Sequence, residues 1–220
     1  ITADIKRIVE SCHTCLRYQQ DSQKEPLLSH PAPSRPWEKI GVDIFTFADH
    51  DYLCTVDYLS GFFEIDRLPS KRVTDIVYCL RQHMARHGIA MEVVADNSPF
   101  NSAEFRRFAE KYEFRCTFSS PRYSQSNGRV ENAIKTAKRI MTKAREANSD
   151  PFLALLEWRN TPSEQLGPSP AQLMFGRRTR TRLPTANILL DTPTSAAVST
   201  ALANAKERQA VYYNRGSRER

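Results

Sequence analysis

No stretch of the 220 residues approaches the uninterrupted run of roughly 18 apolar residues that a membrane-spanning helix requires, and no signal-peptide pattern opens the chain. Cysteine is scarce, with five in all. An odd number with only Cys12 and Cys15 close together is not a disulfide framework. Cys54, Cys79 and Cys116 fall inside apolar stretches, where a free buried thiol is the ordinary reading. That usage fits a reducing compartment, cytosol or nucleus. Internal repeats are absent, so the chain is not a repeat array. An obvious catalytic histidine is absent too. His83 and His87 share a helical spacing but lack the glutamate of a metalloprotease helix, and they read as a helix surface feature.

What is present is ordinary globular composition, 40% hydrophobic and 26% charged. The length suits one self-sufficient core of roughly 120 to 160 residues with appendages. The chain opens at Ile1 in mid-pattern and is expected to be a fragment of something longer. Its formal charge of +7 is uneven. Between Arg177 and Arg220 nine Lys or Arg face three Asp or Glu, a net of +6, which leaves the remainder close to neutral. A basic tail beside a near-neutral body points to a polyanion, nucleic acid first.

The organisation follows from periodicity. Residues 2–20 read as a helix running into Cys12-His13-Thr14-Cys15, and the polar, proline-bearing residues 21–37 read as a linker. Lys39–Phe47, Tyr52–Tyr58 and Phe62–Leu68 are strand-like with tight connections, an antiparallel meander. A helix over Thr74–His87 is expected to end at Gly88. It leads to a short strand, Met91–Ala95, and then to a helix from the Ser102 cap through Tyr112. A strand around Phe114–Phe118 and the polar loop Ser119–Gly128 come next. The long helix beyond has an apolar stripe of Val130, Ile134, Ala137, Met141 and Ala144. A shorter helix covers Phe152–Asn160, a proline- and arginine-rich segment follows it, and Ala196–Asn214 has helical character. The expected class is α/β, a mixed sheet with an antiparallel meander and parallel strands, flanked by helices. The expected divisions are 1–20, 21–37, a core over 38–162 and a basic, proline-containing extension over 163–220.

Three carboxylates stand out. Asp43 interrupts the apolar strand Ile40-Gly41-Val42-Asp43-Ile44-Phe45. There it is either turned to solvent by strand alternation or buried against a cation. Asp96 follows the Met91–Ala95 strand, at the end where open α/β sheets bind ligands, although an Asx turn with Asn97 and Pro99 uses the same residue. Glu131 opens the long helix, where the helix dipole favours an acid in any case. Lys135, Lys138 and Arg139 lie one and two turns along the same face, suited to a phosphodiester backbone or to plain i,i+4 pairing.

Four strings in order, WEKIGVDIF, ADNSPFNSAEF, SSPRYSQSNGRVENAIKTAK and WRNTPSEQLGPSPAQLMFGRRTRTRLP, resemble the integrases of retroviruses and Gypsy-class LTR retrotransposons. These are D,D-E enzymes of the ribonuclease-H-like superfamily. The resemblance implies a ribonuclease-H-like fold over 38–162. It implies an integrase catalytic core, a polynucleotidyl transferase with endonuclease activity. Such a core trims the 3′ ends of a retroelement's DNA and joins them to target DNA. By the same resemblance Asp43, Asp96 and Glu131 are catalytic and hold two Mg²⁺ or Mn²⁺ ions. Asn127, Arg129, Lys135, Lys138, Arg139 and Arg122 are the nucleic-acid-binding candidates, and Asp57 and Asp66 match no catalytic position. Cys12 and Cys15 match the second half of an N-terminal HHCC zinc module, two ligands short of tetrahedral closure. Zn²⁺ is therefore expected only where an upstream histidine pair completes the site. The implied partners are element-end and target DNA and further copies of the chain, with no membrane. The implied location is nuclear, by way of a cytoplasmic pre-integration particle.

The sequence departs from the family pattern after Asp96. Ser98 replaces a glycine, one residue is missing, and 34 residues separate Asp96 from Glu131, one fewer than usual. Tyr123 and Ser124 replace the common His-Pro. These changes admit a second reading, a domesticated integrase-derived module that binds nucleic acid or protein without catalysis. A cut-and-paste transposase or a ribonuclease H on the same fold fits less well, because GPSPAQLMFG and RTRLP belong to the Gypsy-class pattern.

Overall fold

A computed structural model describes residues 11–12, 33–118, 128–162 and 167–192. The chain divides into two compact units, Ile1–Pro31 and Ala32–Arg220, and every element below belongs to the second. Strands β1 (Lys39–Phe47), β2 (His50–Asp57) and β3 (Phe63–Leu68) form the meander that the alternating pattern predicts. Helix α1 (Val73–His87), β4 (Glu92–Ala95), α2 (Ala103–Tyr112) and β5 (Arg115–Phe118) follow. Helices α3 (Gly128–Glu146), α4 (Pro151–Asn160) and α5 (Pro170–Phe175) complete the order, with a short 3₁₀ turn at Asn187–Leu189. The five strands lie in the order β3-β2-β1-β4-β5. The meander pairs are antiparallel, whereas β1–β4 and β4–β5 are parallel. This is the mixed sheet that the element order predicts.

Strand alternation sorts the sheet into two faces, each with its own core. Ile40, Val42, Leu53, Val93 and Ala95 turn toward α1 and α2, where they meet Ile76, Leu80, Met84, Phe105 and Phe108. Phe45, Cys54, Val56 and Phe63 turn the other way, toward Val130, Ala133, Ile134 and Ala137 of α3 and Leu155 of α4. Of the five expected α3 stripe positions, Val130, Ile134, Ala137 and Ala144 are buried and Met141 is half-buried; three of the five are valine or alanine, which lets this helix ride close to the sheet. Each fully buried branched side chain contributes about 1.5–3 kcal/mol.

Local signals explain the helix ends. The Ser102 hydroxyl accepts from the Phe105 amide at 3.3 Å, and the amide of Gly88 (φ 94°) donates to the Met84 carbonyl. Asp150 caps α4 through the Phe152 amide, ahead of Pro151 at the first position. Ser169 and Gln172 form a reciprocal capping box on α5.

The two histidines of α1 are not a surface feature. His83 is fully buried, with its Nδ1 3.0 Å from the Thr55 hydroxyl and its Nε2 hydrogen-bonded to Asp66. His87 packs against Trp37 with the rings tilted, 4.5 Å between centroids, and places its Nε2 2.8 Å from Glu64. Both lie on the side of α1 that packs against β2 and β3, so their helical spacing reports an inward face. Thr55 is itself fully buried, so the Asp66–His83–Thr55 chain has no access for a substrate and ties α1 to the sheet. Glu64 anchors a second buried cluster with His87, Arg86 and Arg159, and the Arg159 guanidinium also lies 4.3 Å from the Phe62 ring.

Asp57 is also structural. Fully buried, it accepts from the Trp37 amide at 2.9 Å and from the Ser60 amide and hydroxyl. Trp37, the last residue of the expected linker, thereby joins the first core. At the other end, Phe175 of α5 meets Phe62 edge-on at 5.2 Å. The Asn160 side chain both donates to the Thr179 hydroxyl and accepts from its amide. This part of the expected extension packs on the core.

Candidate active site

The site begins with strand register. Val42 of β1 lies opposite Ala95 of β4 in the parallel pair, so the next residues, Asp43 in mid-β1 and Asp96 just past the end of β4, follow side by side. Asp43 shares its face with Gly41 and Phe45, and that face is the one α3 covers. Its structural environment resolves the two sequence readings, because the side chain is half-buried under the helix instead of turned to open solvent. The Asp43 carboxylate accepts from the Ile44 amide at 2.7 Å.

The first turn of α3 brings the third carboxylate. Val130 is fully buried against β1, and Glu131, next to it, is exposed at the rim. The height of this turn above the sheet is set by Gly41. A Cβ built on Gly41 would stand 2.3 Å from Cγ2 of Val130 and 2.9 Å from Cε2 of Tyr58. The helix thus seats its valine directly on the strand backbone. An isolated glycine inside a strand is the sequence signal for such a close approach, and it was available two residues before Asp43.

The electrostatics follow from this geometry. Burial pushes the Asp43 carboxyl up from 3.8 to about 6; the Ile44 hydrogen bond opposes the rise, and the charges of Asp96 and Glu131 add to it. Among the described residues, the side-chain charges that bear on Asp43 are those of Asp96 and Glu131, both negative. Burial also raises the Cys54 thiol far above its usual range, and the Asp43 charge adds to that. Among the described residues no three His, Cys, Asp or Glu side chains stand close enough together to grip a metal ion as they are.

The loop after Asp96 is a compact turn. The Asn101 amide donates to the Asn97 carbonyl at 2.7 Å, and Phe100 is buried edge-on against Phe105 at 5.4 Å. Lys135 and Arg139 are exposed on α3 and border an open hollow of about 310 Å³ with Asn132 and Thr136. Lys138 is exposed too, with its ammonium 5.7 Å over the Phe45 ring. The Arg129 guanidinium lies beside Gly61, 3.9 Å from where a Cβ would stand. Arg122, Asn127 and Cys15 lie outside the described residues, and Cys12 is partly exposed.

No profile of a known protein family matches the chain. Individual relatives do. The uncharacterized protein K02A2.6 of Caenorhabditis elegans is 27% identical over 192 residues, 83% of this chain. The transposon Tf2-3 polyprotein of Schizosaccharomyces pombe is 27% identical over 157 residues, 64% of this chain. The chain spans 15% and 11% of the lengths of these two relatives. Among solved structures, the simian T-cell lymphotropic virus intasome matches with a TM-score of 0.64 at 20% identity, over 84% of this chain and 70% of that one. The catalytic core domain of BIV integrase matches at 0.56 and 19%, over 64% of this chain and 95% of that one. The HTLV-2 integrase catalytic core domain in complex with magnesium matches at 0.52 and 17%, over 64% and 98%. Retrotransposon polyproteins are thus among the sequence relatives, and the fold is that of retroviral integrase catalytic cores, as the motif resemblance implied.

Proposed function

We propose that this chain is the catalytic core of an integrase, a metal-dependent polynucleotidyl transferase that trims the 3′ ends of a retroelement's DNA and joins them to target DNA. One observation carries the reading. Asp43 on β1, Asp96 just past β4 and Glu131 in the first turn of α3 are electrostatic neighbours, and among the described residues no side-chain cation offsets the charge of Asp43.

Three carboxylates are the hard oxygen donors that Mg²⁺ and Mn²⁺ prefer. Burial first, and then the like charges of Asp96 and Glu131, disfavour a bare anion at Asp43, a cost that a bound cation would offset. Bound there, a pair of such ions would supply nucleophile activation and charge neutralisation for an in-line phosphoryl displacement. The chain's own residues do the rest. Asp43 is fixed by the Ile44 amide, so its second oxygen remains oriented. Glu131, on an exposed first turn, has the reach to close on the two aspartates. Lys135, Lys138 and Arg139 continue from Glu131 along α3 and offer positive charge to a phosphate backbone. Arg129 flanks the same turn, and Arg122 and Asn127 are assigned to DNA by motif alone.

In the trimming step, water attacks a phosphodiester near the element end, and the P–O bond breaks to leave a free 3′-hydroxyl. In the joining step that hydroxyl attacks a target phosphodiester and releases a target 3′-hydroxyl. Neither step needs a tuned protein base, in keeping with histidines that are structural. Element-end DNA, target DNA and further copies of the chain are the proposed partners, and the nucleus is the proposed place of action. Zn²⁺ at Cys12 and Cys15 would require a histidine pair from outside the sequence given.

The test is strand transfer and disintegration on labelled element-end DNA with Mn²⁺, comparing wild type with Glu131→Gln. Metal-dependent products that vanish in the variant support the reading. Folded, DNA-binding protein that yields no product from either substrate would instead identify a DNA-binding module without catalysis.

A further inference from the structure

We infer that Gly41 is a positioning residue: by lacking a Cβ it lets Val130 rest on the β1 backbone and so sets the spacing between Glu131 on α3 and Asp43 and Asp96 on the sheet. The inference rests on the integrase reading of the three carboxylates.

The geometry leaves little freedom. Gly41 lies two residues before Asp43, on the same face of the same strand, and Val130 immediately precedes Glu131. One contact therefore controls both sides of the site. The obstructing atoms at Gly41 are Cγ2 of Val130 at 2.3 Å and Cε2 of Tyr58 at 2.9 Å from the missing Cβ. Neither can step aside easily. Val130 is fully buried, so its stiff β-branched side chain has no empty rotamer to enter. Tyr58 is half-buried with its ring under the Lys39 ammonium, 5.3 Å away. A methyl group at position 41 must then lift the first turn of α3. Restoring an ordinary carbon–carbon separation of about 3.5 Å requires a displacement of roughly 1 Å. Glu131 sits one residue along and moves with it, while Asp43 stays on the strand. Gly41 has φ outside the left-handed region, so the substitution acts through space and not through backbone strain. The same argument predicts its own remedy. Trimming Val130 to alanine removes Cγ2, the nearest obstruction and the one carried by α3, and lets the helix settle back; the 2.9 Å approach to Tyr58 remains but does not act on the helix.

The test compares wild type, Gly41→Ala, and Gly41→Ala combined with Val130→Ala. Each is read for fold by circular dichroism and for the Mn²⁺ concentration that half-maximally raises the melting temperature. Each is also read for the kcat and KM of disintegration. A misplacement of about 1 Å is expected to cost on the order of 100-fold in kcat, with KM for DNA within about threefold, since the basic face of α3 is intact. The Mn²⁺ midpoint should rise at least about tenfold in Gly41→Ala. The double variant should recover most of both losses although it carries one more substitution in the core, a rescue that a merely structural role for Gly41 would not give. Should Gly41→Ala not fold, the double variant alone decides: wild-type-like Mn²⁺ response supports the interlock. A folded Gly41→Ala with unchanged midpoint and kcat overturns the inference and leaves the integrase reading standing. So does a loss that Val130→Ala does not relieve. Wild type that shows neither a Mn²⁺ response nor product overturns the integrase reading, and this inference with it.

Discussion

Asp43 should cost the metal-free protein stability at neutral pH, and Asp43→Asn measures that cost. Burial together with the charges of Asp96 and Glu131 moves its carboxyl from 3.8 to about 6, so between those values the folded state holds a proton that the unfolded chain has released. Stability therefore falls as pH rises through this window. The penalty is absent below about pH 4, where the group is neutral in both states, and complete above about pH 6, where it is charged in both. Taken at face value the displacement is worth about 3 kcal/mol at 1.36 kcal/mol per pH unit. The side chain keeps some contact with solvent, and screening reduces this to about 1–2 kcal/mol. Asparagine retains the oxygen that accepts from Ile44, so charge is the main thing removed. In EDTA at pH 7.5 the variant should melt roughly 2–8 °C above wild type, a chain of this size gaining about 2–4 °C per kcal/mol. The two should converge near pH 4. Mn²⁺ should reverse the order, raising wild type and leaving the variant where it was. Scanning fluorimetry across pH 4–8 suffices. An Asp43→Asn protein no more stable than wild type at pH 7.5, or a gap that does not change with pH, would overturn this account of Asp43.

Three further outcomes follow from the buried clusters. Thr55→Val strips the hydroxyl from the fully buried Nδ1 of His83 and should cost about 1–3 kcal/mol in denaturant titrations, whereas Thr55→Ser should cost much less. Burial alone would raise the Glu64 carboxyl, but the His87 hydrogen bond and the Arg159, His83 and Arg86 charges outweigh it and hold it down to about 2. Its stabilisation is fully present above about pH 4.5 and disappears as pH falls toward 2, so Glu64→Gln should flatten that part of the acid-melting curve. Arg159→Ala leaves Glu64 with His87 and Arg86 only and strips its own cation from the Phe62 ring. A loss of about 2–4 kcal/mol is expected by chemical denaturation.

Much of this was legible in the sequence, and the boundary of legibility is physical. The meander, the β4 strand ending on Asp96 and the stripe of α3 all arise from local periodicity, and they appear where the pattern puts them. Asp43, Asp96 and Glu131 are named by motif alone, and register and the start of α3 make them electrostatic neighbours. What periodicity cannot carry is which inward residue meets which. His83 and Asp66 are joined across α1 and β3, and Glu64 and Arg159 across β3 and α4. Helical spacing fixed His83 and His87 on one face but not whether that face looked in or out. A glycine inside a strand signals a close approach at position 41, but not that Val130, 89 positions later, is the residue that makes it.

The parallel pairing of β1 with β4 has a kinetic consequence. Asp43 belongs to a hairpin meander whose partners are close in sequence, whereas Asp96 and Glu131 arrive only after a crossover has been closed, Lys39 pairing with Glu92. Local pairings form early and long loops close late, so the carboxylate cluster is among the last parts of the molecule to assemble. Bringing like charges together then falls on the late side of the folding barrier. A cation held by all three acids would prolong the lifetime of the native state by slowing escape from it, while leaving the rate at which newly made chains reach that state almost unchanged.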